Sequence, residues 1–533
     1  MDLCVSDSIS PPATPPSDTI GSYRQPSTTW GHQHPPLPPR KDMPCLQYIA
    51  SVKGSFMQLT AQQQQLLLSE LVPCCNNQQL SFLHSLIVPR LKVDFIRQLP
   101  IELALHVLSF IDDDPYTLAQ AACVSSCWNA VLKDESVWKS MCHKHLKKRR
   151  RPLLHGGSGD DDDDEMMMTM SYHAYYQHMH LVEKAWRHGG SVRTCTNSIR
   201  SALVTSLQID DPFIVVGCDN HNIEVFDSNT GDSLYTLSGH QGGVWALQFV
   251  KKNDHETILV SGGCDRILRV WELNTGIEQY RLTGHTSTIR CVKMCMDDPR
   301  IAVTGSRDAT LRIWDVEQGQ VRHVCWGHQA SVRCIDIHDH RVVSGSYDHT
   351  ARLWDINTGE CIHTFIGHRS QIYTILFDGT RIITGSLDSH IRVWSADTGC
   401  CLATLQGHTS LVGHLQLLPS DPSILVSGGS DGCLRIWDLD HYECKTRISA
   451  HDNSVTCMQF DDRHILSGGS DGCVKLWDLE TGALIRTFTD PARTVWKLQF
   501  KDTKAVVVLQ RPSSSDQPTT TIELHHFDQD RIE

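Results

Sequence analysis

The chain has 533 residues, 40% of them hydrophobic, and its formal net charge at pH 7 is −13. A chain of this length is expected to fold as two or three domains, and no apolar run approaches the roughly 20 residues that a membrane-spanning helix needs. The acidic balance argues against a general nucleic-acid binder, although it leaves room for a local basic site.

Residues 1–55 are predicted to form a disordered tail. Residues 1–44 are rich in Pro, Ser and Thr, and such a composition cannot bury enough apolar surface to fold. Two dipeptides in it, Ser10-Pro11 and Thr14-Pro15, match the targets of proline-directed kinases. The alternative interpretation is a plain flexible tail.

Residues 56–94 change character, because leucines recur at helical spacing from Leu59 to Leu86. That spacing predicts short α-helices, interrupted at Pro73. The segment has too few apolar residues for a core of its own. We therefore expect it to pack on the next domain or on a second copy of itself.

Residues 95–142 are predicted to form about three helices, with Trp128 and Trp138 as large anchors. The segment resembles an F-box through Leu99-Pro100-x-Glu102-Leu103 and through both tryptophans. F-box helices dock on the Skp adaptor of SCF-type ubiquitin ligases, so the resemblance implies an adaptor-binding face. Its residues would be Leu99, Pro100, Ile101, Leu105, Leu108 and Trp128. The alternative is a small helical bundle whose apolar face is entirely internal.

Residues 143–189 are predicted to link the F-box to the C-terminal domain. The basic run Lys147–Arg151 suits a nuclear localisation signal or a solvated helix end. The Gly-rich and acidic stretch Gly156–Glu165 is predicted to be disordered, and Tyr172–Trp186 to be a connecting helix. No signal peptide is recognised at the N-terminus, and we expect the protein in the nucleus and cytoplasm.

Residues 190–533 are dominated by a repeated unit of two strands that opens on Gly-His or Ala-His and closes on Trp. Its period of about 40 to 45 residues is that of a WD-repeat propeller blade. The histidines and their partner tryptophans are His240, His285, His328, His368, His408, His451, Trp271, Trp314, Trp354, Trp394, Trp437 and Trp477. Two degenerate copies flank these six, which predicts eight blades. Val192–Thr196 is expected to supply the closing strand of the last one, since closure removes exposed sheet edges.

Each full repeat contains a Ser or Thr, a His and an Asp, as His328, Ser344 and Asp348 do. Six copies of a catalytic triad have no use in one enzyme, so we interpret these groups as a structural hydrogen-bonded chain. The 21 cysteines are scattered, without the paired spacing of a zinc site, and indicate thiols in a reducing compartment. The sequence therefore predicts no enzyme, no metal and no cofactor.

Comparing the repeats distinguishes residues that maintain the fold from residues that could bind a ligand. A residue present in nearly every blade belongs to the fold. Two positions vary, the fifth after each His and the one before each turn Asp, and both are predicted to lie on the rim of the central channel. They are occupied by Trp245, Arg290, Arg333, Tyr373, Gly413 and Thr456, and by Cys264, Arg307, Tyr347, Leu387, Ser430 and Ser470. Three arginines bunched on an acidic protein predict an anionic ligand, and guanidinium forks suit phosphate.

Together, the helical segment, the F-box and the repeats GHTSTIRC, GSRDATLRIWD and SGSYD resemble F-box/WD-repeat substrate receptors of SCF ubiquitin ligases, of the yeast Cdc-four and human F-box/WD-repeat-protein-seven type. The resemblance runs from about Phe56 to Phe527. It implies binding of phosphoSer/phosphoThr-Pro degrons and a homodimer formed by residues 56–94. The implied degron contacts are Arg290, Arg307, Arg333, Tyr347, Tyr373, Trp245, Arg266, Ser287, Thr288 and Lys497, the last standing where close relatives can have Arg.

The sequence thus predicts an α+β multidomain protein, with an all-α N-terminal part and an eight-bladed propeller. We expect a non-catalytic receptor that brings phosphorylated proteins to a Skp–cullin–RING ligase, with no nucleic-acid or membrane partner. The alternatives are a WD-repeat scaffold that assembles complexes without ubiquitylation, an RNA-binding propeller, which the charge disfavours, and a phosphate-independent receptor of the same architecture.

Overall fold

The computed structural model describes residues 43–91, 94–108, 110, 115–146, 171–195, 202–253, 256–512 and 519–528. The chain divides into two compact units, residues 1–94 and residues 95–533. The kinase-target dipeptides, the basic run Lys147–Arg151 and the stretch Gly156–Glu165 lie outside the described residues.

The described residues of the first unit form α1 (Met43–Gln58), α2 (Ala61–Leu71) and α3 (Asn77–Leu91), with a 3₁₀ turn at Val72–Cys74. The predicted boundary at residue 55 is wrong, because α1 already begins at Met43. Pro44 suits a first helical turn, and Leu46, Ile49 and Phe56 then come at helical spacing, a signal too weak to stand out beside the Pro-rich tail. None of the residues of α2 is buried.

The second unit opens with five short helices at the predicted F-box. They are α4 (Phe95–Gln98), α5 (Ile101–Leu108), α6 (Pro115–Ala122), α7 (Ser126–Leu132) and α8 (Glu135–Leu146). Ser125 caps α7 by accepting a hydrogen bond from the Trp128 backbone N–H at 3.3 Å. Their buried core includes Ile96, Ala104, Leu118 and Leu132.

Helix α9 (Tyr172–His188) joins the F-box helices to the propeller. Its first half packs Tyr175 and Tyr176 into the F-box core. Its second half packs Trp186 into the propeller core, where the indole stacks on the Phe527 ring with centroids 3.9 Å apart. One continuous helix therefore belongs to both cores, as expected of a connector that fixes the distance between them.

Glu183 of α9 makes a buried ion pair with the propeller residue His464, at 3.3 Å between Oε1 and Nε2. Burial alone would raise the pKa of Glu183, but hydrogen bonds and charges from His464, Arg187 and Arg463 outweigh it and lower the pKa to about 2. Burial alone would lower the pKa of His464, but Asp461 and Glu183 raise it to about 9. The pair is therefore charged on both sides at neutral pH.

The propeller has eight antiparallel sheets of four strands. Blades 1 to 4 contain β2 (Val204–Asp210), β3 (Phe213–Cys218), β4 (Ile223–Asp227), β5 (Ser233–Leu237), β6 (Val244–Asn253), β7 (Glu256–Gly263), β8 (Leu268–Glu272), β9 (Ile277–Leu282), β10 (Ile289–Met294), β11 (Ile301–Ser306), β12 (Leu311–Asp315), β13 (Gln320–Cys325), β14 (Val332–His338), β15 (Arg341–Ser346), β16 (Thr350–Asp355) and β17 (Cys361–Ile366).

Blades 5 to 8 contain β18 (Ile372–Phe377), β19 (Arg381–Ser386), β20 (Ile391–Ser395), β21 (Cys401–Leu405), β22 (Val412–Leu418), β23 (Asp421–Gly429), β24 (Cys433–Asp438), β25 (Glu443–Ser449), β26 (Val455–Phe460), β27 (His464–Gly469), β28 (Val474–Asp478), β29 (Leu484–Thr487), β30 (Thr494–Lys501), β31 (Lys504–Arg511) and β32 (Thr519–His526). The outer strand of blade 8 is β1 (Ser191–Cys195), which pairs with β32. This confirms the predicted closing strand.

The inner strands touch their neighbours all the way round, from β2 beside β6 to β30 beside β2. Glutamines reinforce these contacts by bridging to the backbone of the next blade. Gln459 donates to the Phe500 carbonyl at 2.7 Å and accepts from the Phe500 N–H at 2.7 Å, and Gln499 accepts from the Ile209 N–H at 3.0 Å across the closure. These side chains satisfy backbone groups that no strand partner reaches.

The repeated polar groups form hydrogen-bonded chains inside the blades. In blade 4, His328 bonds Asp348 at 2.8 Å through Nδ1 and Ser344 at 2.8 Å through Nε2, and the Trp354 indole N–H donates to Ser344 at 2.9 Å. The pKa of His328 is lowered by burial, although Asp348 opposes the shift. The six-fold repetition of this chain confirms its structural role, since the same bonds tie each blade's outer and inner strands together.

Candidate functional site

The rim of the channel is built by one backbone irregularity that recurs in all eight blades. Each inner strand has a β-bulge close to its first residue, as between Ile289 and Cys291, and a bulge redirects the side chain that it carries. The eight bulge residues are Thr205, Trp245, Arg290, Arg333, Tyr373, Gly413, Thr456 and Trp496. The position predicted to lie on the rim is therefore a distinct backbone feature.

The other predicted rim position, the residue before each turn Asp, is held close to the bulge residue by a backbone hydrogen bond. The Arg307 N–H donates to the Thr288 carbonyl at 2.9 Å, and the Tyr347 N–H donates to the Ser331 carbonyl at 2.9 Å. Each acceptor lies two residues before a bulge residue, so Arg307 is held beside Arg290 and Tyr347 beside Arg333. The same bonds place Thr288 at this mouth, and Ser287 next to it accepts a hydrogen bond from the Ser306 hydroxyl at 3.0 Å.

Aromatic rings support the guanidinium groups. The Arg290 guanidinium lies 4.9 Å from the Trp245 ring centre, and the Arg333 guanidinium lies 5.9 Å from that of Tyr373. Tyr373 also packs against Tyr347, with ring centres 5.3 Å apart, and burial and the hydrogen bond with Tyr347 raise the pKa of Tyr373. The structure therefore brings together five of the predicted residues in two groups, Arg290 with Trp245, and Arg333 with Tyr373 and Tyr347.

The cations of this rim lack acidic partners. Within the described part of the chain, no carboxylate lies within 4.0 Å of the side-chain nitrogens of Arg290, Arg307, Arg333 or Lys497, and the Arg290 Nε is buried without a hydrogen-bond acceptor. Among the scaffold arginines, Arg269 bonds Glu278 at 2.5 Å, whereas Arg312 and Arg352 have no carboxylate within 4.0 Å in the described part of the chain, so what sets the rim arginines apart is that they are grouped. Unpaired arginines grouped around a channel produce a positive potential that an anion would relieve.

Lys497 lies one residue beyond the bulge of blade 8, on the side of the ring opposite Arg333. Burial lowers its pKa, and the positive charge of Arg333 adds to this effect. His414, at the matching position of blade 6, has its pKa lowered to about 4 by burial and by the charges of Lys497 and Arg333. The charges of Arg333 and Lys497 therefore act together on this part of the channel, and they help to keep His414 neutral near pH 7.

Sequence reasoning missed His414, although a signal was present. The position six after each repeat His reads Ala246, Cys291, Cys334, Thr374, His414 and Cys457, and it comes directly after the rim position. Comparing that column between blades would have singled out His414 as the one residue in it that can become cationic.

Arg266 has a different setting from the other predicted contacts. It is exposed and has a positive φ of 67°, as do the matching turn residues Ala309 (66°), His349 (70°) and Ser389 (66°). Its backbone conformation therefore belongs to the repeat. Cys264 in the same turn accepts a hydrogen bond from the Trp245 indole N–H at 3.0 Å, which places this turn at the Trp245 side of the rim.

The F-box helices carry a second candidate site, and the structure separates its predicted residues. Leu108 is only 1% exposed and lies in the helical core, so its prediction as an adaptor contact is wrong: the helical spacing placed it on the same face as the core residue Ala104. Leu99, Leu105 and Trp128 are partly buried against that core. Pro100 and Ile101 are exposed.

Four further apolar residues of the F-box segment, which the sequence reasoning did not name as adaptor contacts, are exposed as Ile101 is. They are Leu103, Val107, Phe110 and Val124. Leu103 and Val107 are four residues apart on α5 and so share one helix face. Exposed apolar side chains on a small helical domain, two of them on one helix face, favour a protein-binding surface.

The helices of the first unit also expose apolar side chains, among them Leu46, Met57, Leu67, Leu71 and Phe82. In the described residues, no cluster of His, Cys, Asp or Glu is arranged to hold a metal ion. No described helix is long and apolar enough to cross a membrane.

Comparison with known families matches two parts of the chain. Residues 96–144 match the F-box-like family, and six segments match the WD domain, G-beta repeat family. These segments are 231–272, 276–315, 319–355, 359–395, 399–438 and 442–478. The matched segments leave out the two degenerate blades, 1 and 8, which the sequence predicted and the structure contains.

Several curated proteins are similar to the chain. Cell division control protein 4 of Saccharomyces cerevisiae is 30% identical over 42% of this chain and 29% of its own length. F-box/WD repeat-containing protein 7 of Drosophila melanogaster is 34% identical over 34% of this chain and 14% of its own length. The probable E3 ubiquitin ligase complex SCF subunit sconB of Arthroderma benhamiae is 26% identical over 36% of this chain and 32% of its own length. The chain thus matches a third or less of the length of these relatives.

Proposed function

Because this chain is an F-box/WD-repeat protein, similar to subunits named for SCF ubiquitin ligases, we propose that it is a substrate receptor of such a ligase. The propeller rim binds phosphorylated Ser-Pro or Thr-Pro segments of other proteins. The F-box helices bind a Skp-type adaptor, and through it a cullin and a RING subunit that supply the chemistry. The receptor itself holds its substrate and performs no reaction.

The observation that carries the rim proposal is the set of unpaired cations with aromatic support. A phosphate brings about −1.5 to −2 charges and three acceptor oxygens, which suits several guanidinium forks at once. Trp245, Tyr347 and Tyr373 offer apolar faces next to the arginines, and such faces fit the proline that comes after the phosphorylated residue. An extended peptide across the rim would meet both kinds of group.

The adaptor proposal rests on the exposed apolar residues of the F-box segment, which are Ile101, Leu103, Val107, Phe110 and Val124. Helix α9 supports it, because a receptor must hold its substrate at a fixed distance from the ligase, and α9 is shared by both cores. We further propose that the exposed apolar helices of residues 43–91 pair with a second copy of the chain, and that the protein works in the nucleus and cytoplasm.

The rim is tested by capturing phosphoproteins on the full chain from an extract, with half of the extract treated with phosphatase beforehand. We expect specific proteins in the untreated half only. Recovery of the same proteins from both halves would contradict phosphate-dependent binding. Repeating the capture with Arg290→Ala shows whether the rim is responsible.

The adaptor face is tested by co-purification with a Skp-type adaptor. The double substitution Leu103→Glu with Val107→Glu places two charges on the exposed face and should abolish co-purification, because burying unpaired carboxylates is unfavourable. Ser126→Glu, which adds a charge at an exposed first-turn position of α7, is the matched control and should bind normally. Undiminished adaptor binding by the double variant would refute this face.

A further inference from the structure

We propose that the outer corner of blade 4, formed by Trp326 and Ile366, binds a large apolar side chain of the same phosphorylated protein that the rim holds. The inference rests on the proposed function and deepens it, because it adds a second recognised feature at a distance from the phosphate. The rim and the outer corner together would select an extended segment of the substrate in addition to its phosphorylated residue.

Both residues are apolar and unusually exposed. The exposed fractions are 73% for Trp326 and 77% for Ile366. Each residue stands directly before the Gly-His pair of a repeat, where the other full repeats have a polar residue: Ser238, Thr283, Gln406 and Ser449. A residue that departs from the repeat is not required by the fold. Trp326 and Ile366 therefore indicate a separate role, as the rim arginines do.

The two residues lie at one corner although they come from different blades. Trp326 follows the outer strand of blade 3, and the next residue, Gly327, lies so close to the Arg352 side chain of blade 4 that a Cβ there would collide with the guanidinium. Arg352 pairs with Thr364 of β17, and Ile366 is two residues farther along that strand. Paired residues, and residues two apart in a strand, share a face of the sheet. Ile366 is therefore on the face of blade 4 that Gly327 approaches.

The outer corner and the rim lie at the same edge of blade 4. Arg333 comes second in the inner strand β14, and Ile366 ends the outer strand β17. Neighbouring strands of the blade are antiparallel, so the start of its first strand and the end of its fourth strand meet at one edge. With two strands between them, the inner and outer strands are about 14 Å apart, and about four to five residues of extended peptide cover that distance.

Continuity with the rim identifies what binds at the outer corner. Residues 326–331 connect Trp326 directly to the inner strand that carries Arg333, and they contain no Asp, Glu, Lys or Arg. An uncharged stretch of peptide can follow this loop outward from the rim without leaving a charge unpaired. An indole ring beside a branched aliphatic side chain is an apolar surface, and tryptophan is enriched among the residues that contribute most to protein binding.

The phosphate makes a shallow apolar contact effective. Once the rim holds the phosphorylated residue, the rest of the peptide reaches the outer corner as an intramolecular contact, at an effective concentration of about a millimolar. Covering one large apolar side chain under these conditions should strengthen binding about tenfold. A protein that lacks the phosphate would gain little from the outer corner alone.

The test measures the affinity of the full chain for phosphopeptides by fluorescence anisotropy. A short peptide contains one phosphoSer-Pro site and a few flanking residues. Two longer peptides add an uncharged arm with leucines at about the fifth to eighth residue from the phosphoserine, on the amino side in one and on the carboxyl side in the other. Each longer peptide has a twin with serines in place of the leucines.

We expect one of the two leucine peptides to bind about tenfold more tightly than its serine twin. Trp326→Ser should remove this difference and Ile366→Ser should reduce it, while both variants bind the serine twin and the short peptide normally. The control is Val321→Ser, which changes an exposed apolar residue at the opposite end of β13 and should preserve the difference. Both substituted corner residues are exposed, so the melting temperatures should stay close to that of the wild type.

The short peptide separates this inference from the proposed function. If it binds only when phosphorylated, but neither leucine peptide gains over its twin or the gain persists in Trp326→Ser, the outer corner is refuted and the proposed function stands. An equal loss of affinity for leucine and serine peptides in Trp326→Ser would also refute the outer corner. If the short peptide binds equally well without its phosphate, or not at all, both are refuted. A lower mass of Trp326→Ser in light scattering would show a contact between copies of the chain and contradict the inference.

Discussion

The substitution Arg333→Ala separates binding from folding more clearly than any other change at the rim. Arg333 lies at the bulge of β14 with its guanidinium 5.9 Å from the Tyr373 ring centre. Its charge contributes to the lowered pKa values of both Lys497 and His414. In the free protein, Arg333 therefore repels other cations, and its removal should leave the melting temperature unchanged or slightly higher.

The loss of affinity is expected to be large. Removing one partner from a desolvated charged pair costs about 2–5 kcal/mol, and each 1.4 kcal/mol or so is a factor of ten. Arg333→Ala should thus weaken binding of a phosphorylated Ser-Pro peptide by at least about 30-fold. Arg290→Ala and Arg307→Ala should act similarly. Because the arginines share one anion, the effect of a double variant should be smaller than the sum of the single effects.

Arg435→Ala is the control with the opposite behaviour. The Arg435 side chain donates to the Gly407 carbonyl at 2.7 Å and lies 5.9 Å from the Trp437 ring centre, contacts that belong to the scaffold of a blade without rim arginines. Losing them should lower the free energy of unfolding by about 1–3 kcal/mol. The peptide affinity of Arg435→Ala should change by less than about threefold, since no ligand contact is lost.

The assay is calorimetry with a singly phosphorylated peptide and its unphosphorylated twin, together with thermal melting of each variant. Equal affinity of the wild-type chain for the two peptides would refute phosphate recognition at the rim. So would a control variant that binds as weakly as Arg333→Ala. A clear fall in the melting temperature of Arg333→Ala would show that the arginine is part of the scaffold.

Other parts of the structure give three more predictions. Gln459→Leu should lower the free energy of unfolding by about 2–5 kcal/mol, measured by urea titration, because it leaves a buried N–H and carbonyl of the next blade unpaired. Glu183→Gln should cost about 3 kcal/mol near pH 6. Since the pKa of His464 is raised to about 9 and that of Glu183 is lowered to about 2, the advantage of the wild type is complete between about pH 4.5 and 6.5 and shrinks as pH rises toward 9 or falls toward 2. Leu67→Glu with Leu71→Glu should convert a dimer to a monomer in light scattering, and an unchanged mass would contradict the proposed pairing.

The sequence by itself determined the elements that repeat. A residue type present in six blades at one spacing, such as the Trp that ends each repeat, reports the fold, because a ring of equivalent blades requires the same hydrogen bonds in each. The exceptions, Arg290, Arg307 and Arg333, were visible against that regular background, and so was the connecting helix. A repeat is recognised from residues that lie close together in the chain, so a single sequence is enough to reveal it.

The tertiary structure decided which residues meet across long distances in the chain. The effect of Arg333 in blade 4 on the pKa of Lys497 in blade 8 depends on a ring of blades, which β1 completes by pairing with β32, far away in sequence. The burial of Leu108 depends on which side of α5 faces the other F-box helices, since the helical period alone gave its apolar residues no inner and outer face. Likewise, the pKa of His414 is lowered by its burial and by charges on other blades. Burial and electrostatic fields are sums over neighbours in space, and those neighbours exist only once the chain has folded.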